Sequence, residues 1–217
     1  MGEYQPTPSE EKLNTATHGL GFLIGLVLIP LLIIRAYEFA SPAMFWGTVL
    51  FGFGWLMMYL ASTLYHVVKE GKLKHIFRIW DHVSIFVLTA ATYTPLVIKY
   101  VETTTAIIFL SIMWFIVLLG GFLKIFYVGR FEIISLILYL SFGWMAVFII
   151  KPIMNNMPLE IFWWVLSGGV VYTAGVAFYA WEKLPYHHGI WHCFVLGGTI
   201  LHFVAIYKSL LLKIVIY

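Results

Sequence analysis

Charge is what this sequence has least of. Asp, Glu, Lys and Arg make up 11% of its 217 residues, against roughly 25% in soluble globular proteins. With 62% of the chain hydrophobic, there is too little polar side chain to cover a water-soluble domain, and that class is excluded. Cysteine is nearly absent too. Cys193 stands alone, so no internal disulfide is available and no redox compartment follows from it. Low-complexity tracts, a clear internal repeat and any loop long enough for a soluble domain are all missing. The formal net charge of +3 is small, and no nucleic-acid partner is expected. That charge matters through its placement.

Long apolar runs are what the chain does have. A spanning helix needs about 20 mostly apolar residues, because a hydrocarbon core of about 30 Å is crossed at about 1.5 Å per residue. Seven segments qualify, at 15–37, 43–67, 79–98, 104–124, 132–150, 159–181 and 189–212. The fold class expected is therefore an all-α membrane protein, a seven-transmembrane helix bundle. It comprises a polar N-terminal tail over 1–14 and a single helical domain over 15–217. The tail, MGEYQPTPSEEKLN, has no apolar core of the signal-peptide kind, so the first helix is expected to direct insertion itself. Lys12, Lys69, Lys72, Lys74, Arg78, Lys124, Arg130 and Lys183 flank the spans on the N-terminal side. Arg35, Lys99, Lys151, Lys208 and Lys213 lie on the other. The larger set marks the cytoplasmic face. This gives an N-terminus inside, a C-terminus outside, and a multi-pass protein of the plasma membrane.

Several polar residues interrupt the apolar pattern at one membrane depth. His18 opens the first span, Ser62 and His66 close the second, Asp81 and His82 open the third, and His188 and His192 open the seventh. Alternating topology brings all four helix ends to one leaflet. His188 and His192 stand at i and i+4, on one helix face one turn apart. That spacing lets a helix chelate a divalent metal, as in HExxH, although here no glutamate lies between them. Three imidazoles with an open fourth position make the arrangement of a catalytic zinc site. Zinc there brings the pKa of water to about 7. His66, His188 and His192 are the candidate ligands, Asp81 the candidate acid–base group, and Ser62 a candidate hydrogen-bonding partner.

Each of these residues also has a structural reading. Asp81 is placed to cap the third helix. Ser62 suits a helix interface or a bond to its own i−4 carbonyl. His18, near the interface, is expected to be partly wet and is the weaker candidate. His202 lies ten residues beyond His192, about 15 Å along the helix, and reads as an interhelical hydrogen bond. His75 and His187 read as loop or interfacial residues. Trp163, Trp164, Trp181 and Trp191 fit an interfacial belt, and the GxxxG of Gly21 and Gly25 reads as close helix packing. An ionisable group inside a membrane is nonetheless a functional candidate by default.

Four stretches together resemble the hemolysin III family, within the wider adiponectin-receptor-like (progestin and adipoQ receptor) superfamily. They are EEKLNTATHGLG at the start, SxxxH from Ser62 to His66, DHVSIFVLTAATYTP from Asp81, and HHGIWHCFVLGGTILHF from His187. The resemblance spans nearly the whole chain. It implies a zinc ion near the cytoplasmic side held by His66, His188 and His192, with Asp81 beside a water and Ser62 one turn before the first histidine. It also implies ceramidase-like hydrolysis of a lipid amide or ester, with membrane lipids or a fatty acid as substrate or product. The alternatives it leaves are a receptor or membrane-fluidity sensor with structural zinc, and a hemolysin-type pore.

Overall fold

The computed structural model describes residues 6–212. The first five residues of the expected tail, and Lys213 of the charge count, lie outside the described residues. Helix α1 runs Pro8–Phe39, α2 Pro42–Val67, α3 Lys72–Tyr100, α4 Thr103–Tyr127, α5 Glu132–Gly143, α6 Ile150–Asn156, α7 Leu159–Ala180 and α8 His187–Leu211. A 3-10 stretch, Met145–Ile149, joins α5 to α6, and this broken pair makes one of seven spans long and apolar enough to cross a membrane. No strand occurs among the described residues.

Two helices, α1 and α3, begin well before their apolar runs. At α1, the Thr7 hydroxyl accepts the Glu10 N–H while the Glu10 carboxylate accepts the Thr7 N–H, and Pro8 supplies a preset first turn. The polar stretch expected as tail is thus helical from Pro8 onward. At 32 residues, α1 is roughly 48 Å long, more than the hydrocarbon needs. Likewise α3 starts at Lys72, seven residues ahead of its apolar segment. Hydropathy marks where a helix enters lipid, whereas caps mark where it starts.

Sequential helices pack side by side, α1 on α2, α2 on α3 and α3 on α4, while α8 packs on both α7 and α1. The α1–α2 contact is close because α1 presents glycine there. A Cβ at Gly21 would lie 2.4 Å from the Tyr59 ring, and one at Gly25 would lie 2.6 Å from Trp55. The bared backbone also leaves the Gly21 carbonyl open to accept the Trp55 indole N–H at 2.9 Å. Close packing by the GxxxG is what the sequence led us to expect.

The fifth span departs from the continuous helix expected over 132–150. Pro152 has no N–H to give the Phe148 carbonyl, which weakens a regular helix here, and the chain goes over to the 3-10 stretch just ahead of it. Tyr93 of α3 repairs part of the damage. Its hydroxyl donates to the Gly143 carbonyl at 2.7 Å and accepts the Ala146 N–H at 2.9 Å. Lipid offers no substitute for such partners, so the break is tolerated only where protein supplies them. This span touches α3 only sparsely, and cavities open between it, α3, α7 and α8.

Candidate metal centre

His66 sits one residue from the end of α2, and His188 and His192 lie in the first two turns of α8. Their rings meet inside the bundle, with centroids 5.2 Å apart for His66 and His188, 5.1 Å for His66 and His192, and 4.6 Å for the α8 pair. One nitrogen from each falls within 4.8 Å of the others. The Nε2 atoms of all three are buried and have no hydrogen-bond partner in the protein. An orphaned buried polar atom is costly, and three converging ones are the donor set that a first-row metal ion satisfies.

Two of the rings have their tautomers set by partners. His66 Nδ1 lies 2.6 Å from the Glu11 carboxylate, a pure acceptor, so Nδ1 carries the proton and Nε2 keeps its lone pair. His192 Nδ1 faces the Asn14 carbonyl at 3.2 Å and the Thr17 hydroxyl at 3.0 Å. The Thr17 hydrogen already goes to the Leu13 or Asn14 carbonyl. Both partners therefore accept, Nδ1 again donates, and Nε2 again points its lone pair inward. Such outer partners raise ligand basicity and fix ring orientation in metal sites.

These outer partners come from α1, and two of them, Glu11 and Asn14, from the stretch expected as a tail. Glu11 also binds Lys74 of α3 at 2.6 Å, and Glu10 accepts the Tyr186 N–H at 3.0 Å just ahead of α8. One helical turn thus ties α1 to α2, α3 and the α8 entrance. A signal was present: Glu11, Asn14, His18, Gly21 and Gly25 follow a three–four spacing, the stripe of one helix face. Polar residues on the stripe that carries the packing glycines face the bundle.

Asp81 is buried on α3 and lines two cavities at once. One is a polar chamber of about 110 Å³, shared with Arg78, His82, Lys124, His188 and Glu182. The other is an apolar cavity of about 150 Å³ walled by Leu88, Leu140, Val176 and Val195, reaching His202. Ser62, buried on α2, lies next to the Asp81 carboxyl, but its hydroxyl satisfies hydrogen-bond geometry with no protein group. Asp81 is ten residues into α3 and so does not serve as its N-cap, which is Gly71.

The remaining histidines divide. His18, expected to be partly wet, is 1% exposed and stacks on His192 at 3.5 Å with the rings 16° apart. His187, expected at the interface, is buried and donates from Nδ1 to the Phe178 carbonyl at the end of α7. His202 bonds the Val165 carbonyl across to α7 at 3.0 Å, as expected. His75 is exposed. Trp163 and Trp181 are exposed as a belt requires, whereas Trp191 lines both cavities beside the histidines.

Seven apolar helices and a histidine triad with two of its three members buried define a multi-pass membrane protein with a possible intramembrane metal site. A family profile described as "Haemolysin-III related" matches residues 7–203, and the chain belongs to that family. It is 38% identical over 200 residues to the hemolysin-3 homolog of Bacillus subtilis, covering 92% of this chain and 94% of that one. Hemolysin-3 of Bacillus cereus is 36% identical over 197 residues, covering 91% and 90%. The human monocyte to macrophage differentiation factor is 28% identical over 222 residues, covering 96% and 88%.

Proposed function

We propose that this protein is a zinc-dependent hydrolase that cleaves an amide or ester bond of a membrane lipid within the bilayer. One observation carries the reading. Three orphaned imidazole nitrogens lie near a buried carboxylate that faces a polar chamber on one side and an apolar cavity on the other. His66, His188 and His192 would hold the ion through Nε2, and Glu11 and the Asn14 carbonyl hold the first and last rings in the tautomer that binding needs. Zinc, when bound, acidifies water and polarises a carbonyl. The carboxylate of Asp81 takes a proton from the attacking water and returns it to the leaving nitrogen or oxygen. Ser62 steadies that carboxyl or donates to the substrate carbonyl. The apolar cavity takes the acyl chain and excludes bulk water, while the chamber admits the head group and the water consumed.

By the lysine and arginine bias, this end of the bundle faces the cytoplasm, and the membrane is the plasma membrane. The reading makes the protein an agent of lipid homeostasis, with membrane lipids or a released fatty acid as substrate or product. Two other readings have less support. A receptor or fluidity sensor with structural zinc calls for a fourth protein ligand, and the histidine group found among the described residues has three members. A pore, which the bacterial relatives' names suggest, calls for polar lining throughout. The cavity beyond His202 is instead walled by Leu96, Val97, Ile153 and Met157.

The test combines metal analysis of the purified protein with hydrolysis of amide- and ester-linked lipids, for wild type and a His188→Ala/His192→Ala variant. The reading expects bound zinc and lipid turnover, both lost in the variant. Metal-free wild type, or cellular lipids unchanged by the double substitution in every growth condition, would sink it.

A further inference from the structure

Lys124 has no role in the chemistry proposed above, yet it is 6% exposed in the last turn of α4. Its ammonium donates to the Ser135 hydroxyl of α5 at 2.6 Å and lies 5.6 Å from the centre of the Tyr139 ring. Among the described residues no carboxylate comes within 4.0 Å of it, because the acid of this region, Glu132, is taken by Arg78 at 3.0 Å. A buried cation with one neutral hydrogen-bond partner is expensive at a membrane's edge. An ordinary lysine at that depth would extend to water; this one turns inward.

Besides the chamber, where its ammonium meets the Tyr139 ring, it borders a groove. Between α4 and α5 lies a cavity of about 250 Å³ whose cationic end holds Lys124 and, on the joining loop, Arg130. Arg130 is exposed and also makes no ion pair among the described residues. From there the walls become apolar, with Gly120 and Leu123 on α4 and Ile134 and Leu138 on α5. Phe86 of α3 closes the floor, its ring 2.7 Å from where a Cβ on Gly120 would stand. The outer faces of both helices carry exposed Leu119, Phe122, Ile133 and Ile137, so the groove lies on the lipid-facing surface. Charge at the helix ends and hydrocarbon one to two turns deeper is the profile of a phospholipid.

We propose that the α4–α5 groove is a docking site for an anionic glycerophospholipid, its phosphate held by Lys124 and Arg130 and an acyl chain laid along Leu123 and Leu138. A neutral lipid fills the apolar half but leaves Lys124 with Glu132, a more distant acid already bonded to Arg78, as its counter-charge. Charge-assisted bonds to phosphate are the stronger kind, so selection is made at the head group. The inference goes beyond the hydrolase reading and does not require it. Lys124 and Ser135 also line the polar chamber that holds Asp81, so the docked head group lies against that chamber's wall.

The full chain in a neutral detergent is given dioleoylphosphatidylglycerol, dioleoylphosphatidylcholine, dioleoylglycerol or inorganic phosphate, and bound lipid is counted by native mass spectrometry alongside the thermal midpoint. One retained phosphatidylglycerol with a raised midpoint is expected, with neither effect from dioleoylglycerol or phosphate alone. Lys124→Gln weakens retention by about tenfold, the scale of one charge-assisted bond, whereas Lys69→Gln, an exposed charge removed at the same end, leaves it unchanged. Retention of dioleoylglycerol or phosphatidylcholine equal to that of phosphatidylglycerol overturns the proposal. Stabilisation by inorganic phosphate equal to that by lipid also overturns it, leaving a free-anion site. Should Lys124→Gln fail to fold, exposed Arg130→Gln is read in its place: weaker retention supports the site and unchanged retention overturns it. Zinc content and lipid hydrolysis are measured separately, so the hydrolase reading and this one can fail independently.

Discussion

Glu11 gives the site its most economical test at the level of single residues. Its carboxylate is the acceptor that fixes the His66 tautomer, and Lys74 holds its other oxygen. Glu11→Gln keeps the size and removes the charge. It should lower zinc affinity by about 10–100-fold, the usual effect of removing an outer-shell partner, read from metal retained against a graded chelator. His202→Ala is the matched control. It deletes a part-buried histidine whose bond runs to α7 rather than to the triad. It should cost about 0.6 kcal/mol for the interhelical bond plus the lost packing of the ring on Gly168 and Tyr172, and leave zinc retention unchanged. Equal loss in both variants would mean that Glu11 acts through stability alone. The pairing of Glu11 with His66 was not legible beforehand, because nothing in the order of residues says that an acid at position 11 meets an imidazole at 66.

Among the helices, the fifth span is the informative case. Its composition marked it as membrane-crossing, and so it is. Its interruption was hidden because the repair comes from Tyr93 on another helix. Tyr93→Phe keeps the ring and removes both bonds, stranding the Gly143 carbonyl and the Ala146 N–H. The expected cost is about 1–3 kcal/mol, the penalty for polar groups left unsatisfied away from water. Hydrogen exchange, faster over 143–149 than in wild type and unchanged in α1 and α2, would locate the loss. Uniform destabilisation across all helices would argue against the repair. The start of α1 teaches the complementary lesson. Thr7, Pro8 and Glu10 spell a capping box that hydropathy alone passes over.

For the molecule as a whole, a metal ion would tie α2 to α8, helices that are second and last in the chain. Binding to the folded state alone adds about 2.7 kcal/mol of stability at a hundredfold excess of ion over Kd. Chelation of the purified protein should therefore lower the thermal midpoint, and added zinc should restore it. The His188→Ala/His192→Ala variant should show neither response. A wild-type midpoint indifferent to chelator and zinc would mean that the triad does not hold a metal across the bundle.

Composition and spacing were enough for the class: too few charges for water, seven apolar runs of spanning length, and four helix ends whose histidines, serine and aspartate share a depth. Those features are local or periodic, and a membrane turns periodicity into position because every spanning helix is measured against the same thickness. Lateral neighbours are not encoded that way. Only the packed bundle decided that α1 supplies the outer partners of two histidines and that His18 stacks on His192. It alone decided that Tyr93 mends the fifth span and that Lys124 turns inward beside a groove. Each of those contacts joins residues far apart in the chain, and which residues meet depends on how each helix is rotated and offset against its neighbours.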